Sequence, residues 1–151
     1  LSKANVKDIE KIIYLVNFNK TKSRNIIKTS QMLIDNFNSN VPGTIEELIT
    51  FPGVGRKTAN VVIGQAFKNP EGFVVDTHVG RVSRRLGLTK NTDAVKVEYD
   101  LMKLFPQPEW DDMSLRLIFH GRYRCKSRNP ECYKDPFWSK ICSCVKEKRV
   151  N

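Results

Sequence analysis

The chain has 151 residues, with 26 Lys+Arg against 16 Asp+Glu and a formal net charge of +10 at pH 7. That size suits one ordinary domain or two small lobes, and the cation excess suits either a polyanionic partner or a merely soluble basic protein. No apolar run approaches the roughly 18–20 residues of a membrane span, and the start Leu1-Ser2-Lys3-Ala4-Asn5 has no apolar core of a secretory signal, so the chain is expected to be intracellular, without membrane contact, and processed or a fragment because it begins with Leu.

The pattern is helical almost throughout. Val6, Ile9, Ile12, Ile13 and Val16 recur at helical spacing and predict a helix near 6–16, and Ile26, Ile27, Leu33, Ile34 and Phe37 predict a second near 22–37. Asn38-Ser39-Asn40 breaks it, with Pro42-Gly43 as a turn. Thr44 with Glu47 reads as a capping box opening a short helix with Ile45, Leu48 and Ile49. Pro52-Gly53-Val54-Gly55 stops that helix, and another runs from Arg56 through Ala66. After Asn69-Pro70 the chain is extended at Phe73-Val74-Val75 and turns at Asp76-Thr77. Val79, Val82 and Leu86 form the next helical face, ended by Gly87. Thr92 is expected to cap a helix through Phe105, closed by Pro106 and Pro108. A last helix near 111–120 ends at Gly121, and 122–151 reads as a basic, cysteine-bearing loop region.

The sharpest local signal is Phe51-Pro52-Gly53-Val54-Gly55-Arg56-Lys57-Thr58-Ala59. Glycines in such a turn permit positive φ and leave no side chain between backbone and ligand. Backbone N–H groups at the start of the following helix form an anion site that takes a DNA phosphate without reading a base. The plainer alternative is a helical hairpin whose glycines serve only the turn. This segment resembles the helix-hairpin-helix of the endonuclease III DNA glycosylases, and the resemblance continues through Val75-Asp76-Thr77-His78-Val79-Gly80-Arg81-Val82 and His120-Gly121-Arg122-Tyr123-Arg124-Cys125. It covers essentially the whole chain and implies that the family's N-terminal segment is missing, with part of the space that receives a flipped base.

Lys57 lies at a helix start beside Arg56, where the helix dipole and the neighbouring charge disfavour an ammonium ion. A charged, phosphate-binding lysine is the alternative. The resemblance implies that Lys57 attacks C1′ of the damaged nucleotide, forms a Schiff base with the opened sugar and cleaves on the 3′ side by β-elimination. Asp76 reads on its own as a helix cap. The resemblance implies instead a catalytic carboxylate that stabilises positive charge on the sugar and accepts a proton from Lys57. His78 either contacts phosphate or packs, and Arg81, Arg84 and Arg85 are expected to give one positive, mostly solvated helix face. The candidate DNA-binding set is therefore Gly53, Val54, Gly55, Arg56, His78, Arg81, Lys126 and Arg128.

All four cysteines lie late in the chain: Cys125, Cys132, Cys142 and Cys144. Cys125-x6-Cys132 matches the first half of the family's C-x6-C-x2-C-x5-C loop, which implies a [4Fe–4S] cluster. The second half departs from it, with Asp135 at the third ligand position, Ile141 at the fourth and Cys142 one residue late. A cluster with shifted ligands, with or without the Asp135 carboxylate, a loop holding no cluster, and zinc on four thiolates all remain open.

The resulting expectation is an all-α protein of two lobes, 1–70 with the hairpin and 71–151 with the cysteine loop. The resemblance implies a monomer that binds damaged double-stranded DNA between the lobes, flips the base, removes oxidised pyrimidines and cleaves abasic sites. A non-catalytic DNA-binding remnant and a pyrimidine-dimer glycosylase are the alternatives. The adenine-mismatch branch lacks this lysine, so Lys57 argues against it.

Overall fold

The computed structural model describes residues 1–143, and every regular element among them is helical, as expected from the apolar periodicity. The chain divides into two compact units, Leu1–Ile63 and Gly64 onward.

In the first unit, α1 spans Val6–Ile12 and α2 Asn19–Phe37. Helix α1 is shorter than its apolar pattern predicts. Its Asn5 side chain caps the start by accepting from Lys7 N–H, and Ile13 already leaves the helix. Ile12, Leu15 and Phe18 are exposed, so no core rewards a longer helix. Phe18, with φ 60°, turns the chain into α2, which starts at Asn19, three residues before the expected start near 22. Helix α3 spans Ile45–Leu48. Thr44 Oγ accepts from Glu47 N–H at 3.3 Å, the first half of the expected capping box, while its hydroxyl donates to the Glu47 carboxylate at 2.7 Å. Helix α4 spans Arg56–Val62, and a π turn at Ile63–Phe67 follows it. Ile45, Leu48, Phe51, Ala59 and Ile63 form the buried cluster, with Met32, Leu33, Phe37, Val54 and Val62 against it. Burial of each large apolar side chain stabilises by about 1.5–3 kcal/mol. The Phe37 and Phe51 rings, centroids 5.3 Å apart, join the end of α2 to the residue that begins the hairpin.

In the second unit, α5 spans Thr77–Leu86, α6 Ala94–Leu104, α7 Trp110–Tyr123 and α8 Trp138–Ile141, with 3₁₀ turns at Gln107–Glu109 and Cys132–Lys134. The buried core takes Phe73 and Val75 from the extended stretch, Val79 and Val82 from α5, Val97 and Leu101 from α6, Trp110 and Leu117 from α7, and Cys125, Cys132 and Cys142. Helix α5 ends as expected at Gly87, whose φ of 75° places it in the left-handed region that glycine occupies without strain.

This unit departs from the sequence reading at two helix boundaries, and the stretch after 122 expected as loop holds the 3₁₀ turn Cys132–Lys134 and helix α8. Asp93, not Thr92, caps α6, accepting from Lys96 N–H at 2.9 Å. Helix α7 passes through Gly121 to Tyr123. Gly121 is buried, and a Cβ there would stand 2.9 Å from His78 Cβ and 3.1 Å from both Arg81 and Val82 side-chain atoms. The glycine therefore serves the close approach of α7 to α5 rather than a helix end. Gly121→Ala should destabilise the protein by about 1–3 kcal/mol, the usual cost of overpacking, and lower the urea midpoint without changing helical content. An unchanged midpoint would show that α5 and α7 can part without cost.

Candidate functional site

The hairpin is built on a tight turn. Val54 N–H donates to Phe51 O at 3.1 Å, with Pro52 second and Gly53, φ 79°, third. Proline followed by a positive-φ glycine is the pattern of a type II turn. A Cβ at Gly53 would also collide with the Asn25 side chain. Gly55 is the N-cap of α4 in extended conformation with open space beside it, and no side chain caps the helix. Of the expected residues here, Val54 packs its side chain on the first unit's core, so only its backbone suits a phosphate. Arg56 is half-buried, and Lys57 is exposed on the first turn of α4.

The sequence reading assigned no role to Phe18. It stands on the turn between α1 and α2, is 82% exposed, and is the most exposed large apolar side chain among the described residues. A shallow depression lined by Ile13, Val16, Asn25, Pro52 and Gly53 connects this turn to the hairpin within the same unit. The sequence signal was an aromatic between two asparagines, Asn17 and Asn19, past the last buried position of α1.

In the second unit, Asp76 follows the buried run Phe73–Val75 and is the N-cap of α5. Its Oδ1 accepts from His78 N–H and Val79 N–H, each at 2.8 Å. The capping geometry expected from an aspartate is thus present. It holds the carboxylate in one orientation through one oxygen and leaves Oδ2 without a hydrogen bond among the described residues.

The three arginines of α5 do not form the solvated face expected of them. Arg81 Nη2 donates to Gly121 O at 2.7 Å and to Cys125 O at 2.9 Å, and contacts His78 Nδ1 at 3.2 Å. Arg85 Nη1 donates to Lys126 O at 2.8 Å and to Cys125 Sγ at 3.2 Å, and Nη2 reaches Ser127 O. Two of the three are therefore committed to the end of α7 and the loop after it, because the last turn of a helix and an irregular loop leave carbonyls that need donors. Only Arg84 is exposed, reaching Asn91 O at 3.5 Å. Among the loop cations, Lys126 pairs with Glu131 at 2.9 Å, and Arg128 is exposed.

Cys125, Cys132 and Cys142 are each fully or almost fully buried; Cys144 lies outside the described residues. His120, which the sequence reading quoted only as part of a motif, brings Nε2 to 3.9 Å from Cys132 Sγ. Its ring lies against Trp138, centroids 4.2 Å apart. Burial pushes the Cys125 thiol up, but hydrogen bonds with His120 and Arg85, the Arg85 charge and a hydrogen bond with Cys132 outweigh it and bring the group down to about 6. Thiolates with an imidazole form a soft donor set suited to iron–sulfur groups and other thiophilic metals. Asp135, the residue at the third ligand position, is exposed. Its Oδ1 accepts from Phe137 N–H at 2.9 Å and Trp138 N–H at 3.2 Å, at the start of α8.

This all-helical fold, with a glycine hairpin and a capped aspartate, has counterparts among known proteins. The HhH-GPD superfamily of base excision DNA repair proteins matches residues 1–107, and the chain belongs to that superfamily. Within it, the chain is 48% identical over 126 residues to endonuclease III of Synechocystis sp., covering 83% of this chain and 58% of that protein. Identity to endonuclease III of Bacillus subtilis is 43% over 135 residues, covering 89% of this chain and 61% of that protein. The chain thus spans about three fifths of the length of these curated relatives. Among solved structures, a non-covalent endonuclease III–DNA complex matches with TM-score 0.92 and 41% identity, over 99% of this chain and 70% of that one. A trapped endonuclease III–DNA covalent intermediate matches with TM-score 0.90 and 42% identity, over the same shares.

The arginine contacts carry a prediction about stability. Arg81→Ala removes charged donors from two carbonyls and should cost about 2–3 kcal/mol, since hydrogen bonds to charged groups are worth about 1.5–3 kcal/mol each and do not add fully. Thermal unfolding monitored by circular dichroism measures it. A loss below about 0.5 kcal/mol, the range of ordinary surface changes, would mean that Arg81 is solvated and available elsewhere.

Proposed function

We propose that this chain is a DNA glycosylase with abasic-site lyase activity that works in base excision repair as a monomer. The observation that carries the reading is that one chain holds both the Gly53–Lys57 hairpin and the Asp76 cap and matches an endonuclease III–DNA complex with TM-score 0.92. Gly53 and Gly55 present backbone at the hairpin, where a DNA phosphate fits without a side chain in the way. Val54 contributes through its backbone, and Arg56, Lys126 and Arg128 add positive charge. His78 contacts a phosphate beside the damaged nucleotide, and Arg81 positions His78.

The chemistry falls to two residues. Lys57, as the free amine, attacks C1′ of the nucleotide; the C1′–N bond breaks and the base leaves with the electron pair and a proton. The sugar opens to a Schiff base on Lys57, and loss of a C2′ proton expels the 3′ phosphate. Asp76, held by two backbone N–H groups, offers Oδ2 to the positive charge that develops on the sugar and takes the proton from Lys57. The substrates are oxidised pyrimidines in duplex DNA and abasic sites. Phe18 fits the role of an apolar wedge, since an exposed apolar side chain inserted into a base stack helps pay for extruding a nucleotide. No helix among the described residues is long and apolar enough to cross a membrane, and DNA is the partner in this reading.

The cofactor in this reading is a [4Fe–4S] cluster on the C-terminal cysteine group. Cys125, Cys132 and Cys142 supply thiolates, and the second half of the loop departs from the family's spacing. Such a cluster organises the loop and leaves the bond-breaking steps to Lys57 and Asp76.

Borohydride trapping on an abasic-site duplex tests the catalytic pair. Lys57→Gln should abolish the trapped adduct while DNA affinity stays within about tenfold, about 1.4 kcal/mol. Asp76→Asn keeps the cap but should cut turnover at least a hundredfold with binding retained, as for a group acting in the transition state. Full trapping by the Lys57 variant, or no trapping by the unaltered protein, rejects the lyase reading.

Phe18→Ala should slow excision from a duplex more than cleavage at an abasic site in single-stranded DNA, where no stack has to open. Equal effects on both substrates would remove Phe18 from base extrusion.

A further inference from the structure

The cysteine group has three described thiols, and the residue at the third ligand position carries no sulfur. We infer that His120 is a metal ligand, its Nε2 completing a set of one imidazole and three thiolates with Cys125, Cys132 and Cys142. The inference rests on the cluster reading above and adds to it a ligand that the cysteine spacing does not reveal.

Three observations carry it. The ligand atoms of His120, Cys125 and Cys132 all lie within 4.8 Å of one another, with both sulfurs buried. The chain path fixes that proximity. His120 lies in the last turn of α7, its carbonyl accepts from Arg124 N–H at 2.9 Å and Cys125 N–H at 2.7 Å, and the turn so formed folds Cys125 back beside the imidazole. Asp135, by contrast, is exposed and directs Oδ1 to the start of α8, an arrangement that uses its carboxylate as a cap. The ring of His120 is further oriented by Trp138, as an imidazole ligand held in one orientation requires.

The chemistry has a measurable consequence. A neutral imidazole in place of a thiolate removes one negative charge from the ligand set, and Arg85 donates to the sulfur of Cys125 at 3.2 Å. Both changes favour the reduced cluster, just as histidine ligation raises the potential of Rieske centres.

The test uses the whole chain, reconstituted anaerobically with ferrous iron and sulfide. The reduced protein should show the strong nitrogen coupling of a bound imidazole in pulsed electron paramagnetic resonance, altered by ¹⁵N-histidine labelling. The chain has two histidines, and the coupling should persist in His78→Gln. His120→Ala should lower iron from about four per chain to less than one. His120→Cys should restore the iron, lose the nitrogen coupling and move the reduction potential downward. Cys144→Ser should keep its iron. A cluster without histidine coupling overturns the assignment and leaves the cluster reading intact, as does full iron in His120→Ala with loss in Cys144→Ser. Folded protein that takes up no iron overturns both, and the borohydride result for Lys57 is independent of either.

Discussion

The second unit depends on one close contact, where α7 meets α5 at Gly121. With no side chain there, the helix backbones approach until His78, Arg81 and Val82 lie against α7. That proximity lets a single guanidinium, Arg81, bond to Gly121 O and Cys125 O together. The start of α5 carries the aspartate, and the end of α7 carries His120 and leads into the cysteine loop. The same packing thus orders the carboxylate proposed for catalysis and the group proposed for metal binding. A methyl group at Gly121 would act on both through the angle between two helices.

The first unit achieves order differently. Its hairpin is rigid because Pro52 and Gly53 impose the turn and because Phe51 before it and Ala59 after it are buried. Lys57 sits between those anchors, exposed on a short helix with a fixed start. An amine on such a scaffold needs no long loop to hold it, and the remaining freedom lies in the lysine chain itself.

The sequence was informative where one residue type has one physical use. Apolar positions at helical spacing located every helix of more than four residues among the described residues, positive φ at Gly53 and Gly87 followed from their places in a turn and at a helix end, and Asp76 reads as a cap because aspartate before a helical face usually is one. It was less informative where a residue's use depends on a distant partner. Gly121 looks like a helix terminator until His78 is known to lie opposite. Arg81 and Arg85 look like surface charges until the carbonyls of Cys125 and Lys126 are placed beside them. Thr92 and Asp93 are both good caps, and only the backbone decides between them. His120 gave no signal of its own, since its nearness to Cys125 and Cys132 comes from the fold of the loop and not from cysteine spacing. Apolar residues past Ile9 imitate a longer helix because periodicity alone does not reveal that Ile12, Leu15 and Val16 stay exposed among the described residues.

The contact between Arg81 Nη2 and His78 Nδ1 limits what that histidine can do. A guanidinium has hydrogens to give and no lone pair to receive one, so Nδ1 must be the accepting nitrogen. A neutral His78 is then locked in the tautomer that carries its hydrogen on Nε2. In that form the imidazole offers a donor and no second acceptor. It is suited to steady an anionic oxygen, and it is barred from serving as the base that removes a proton from a sugar carbon or from water.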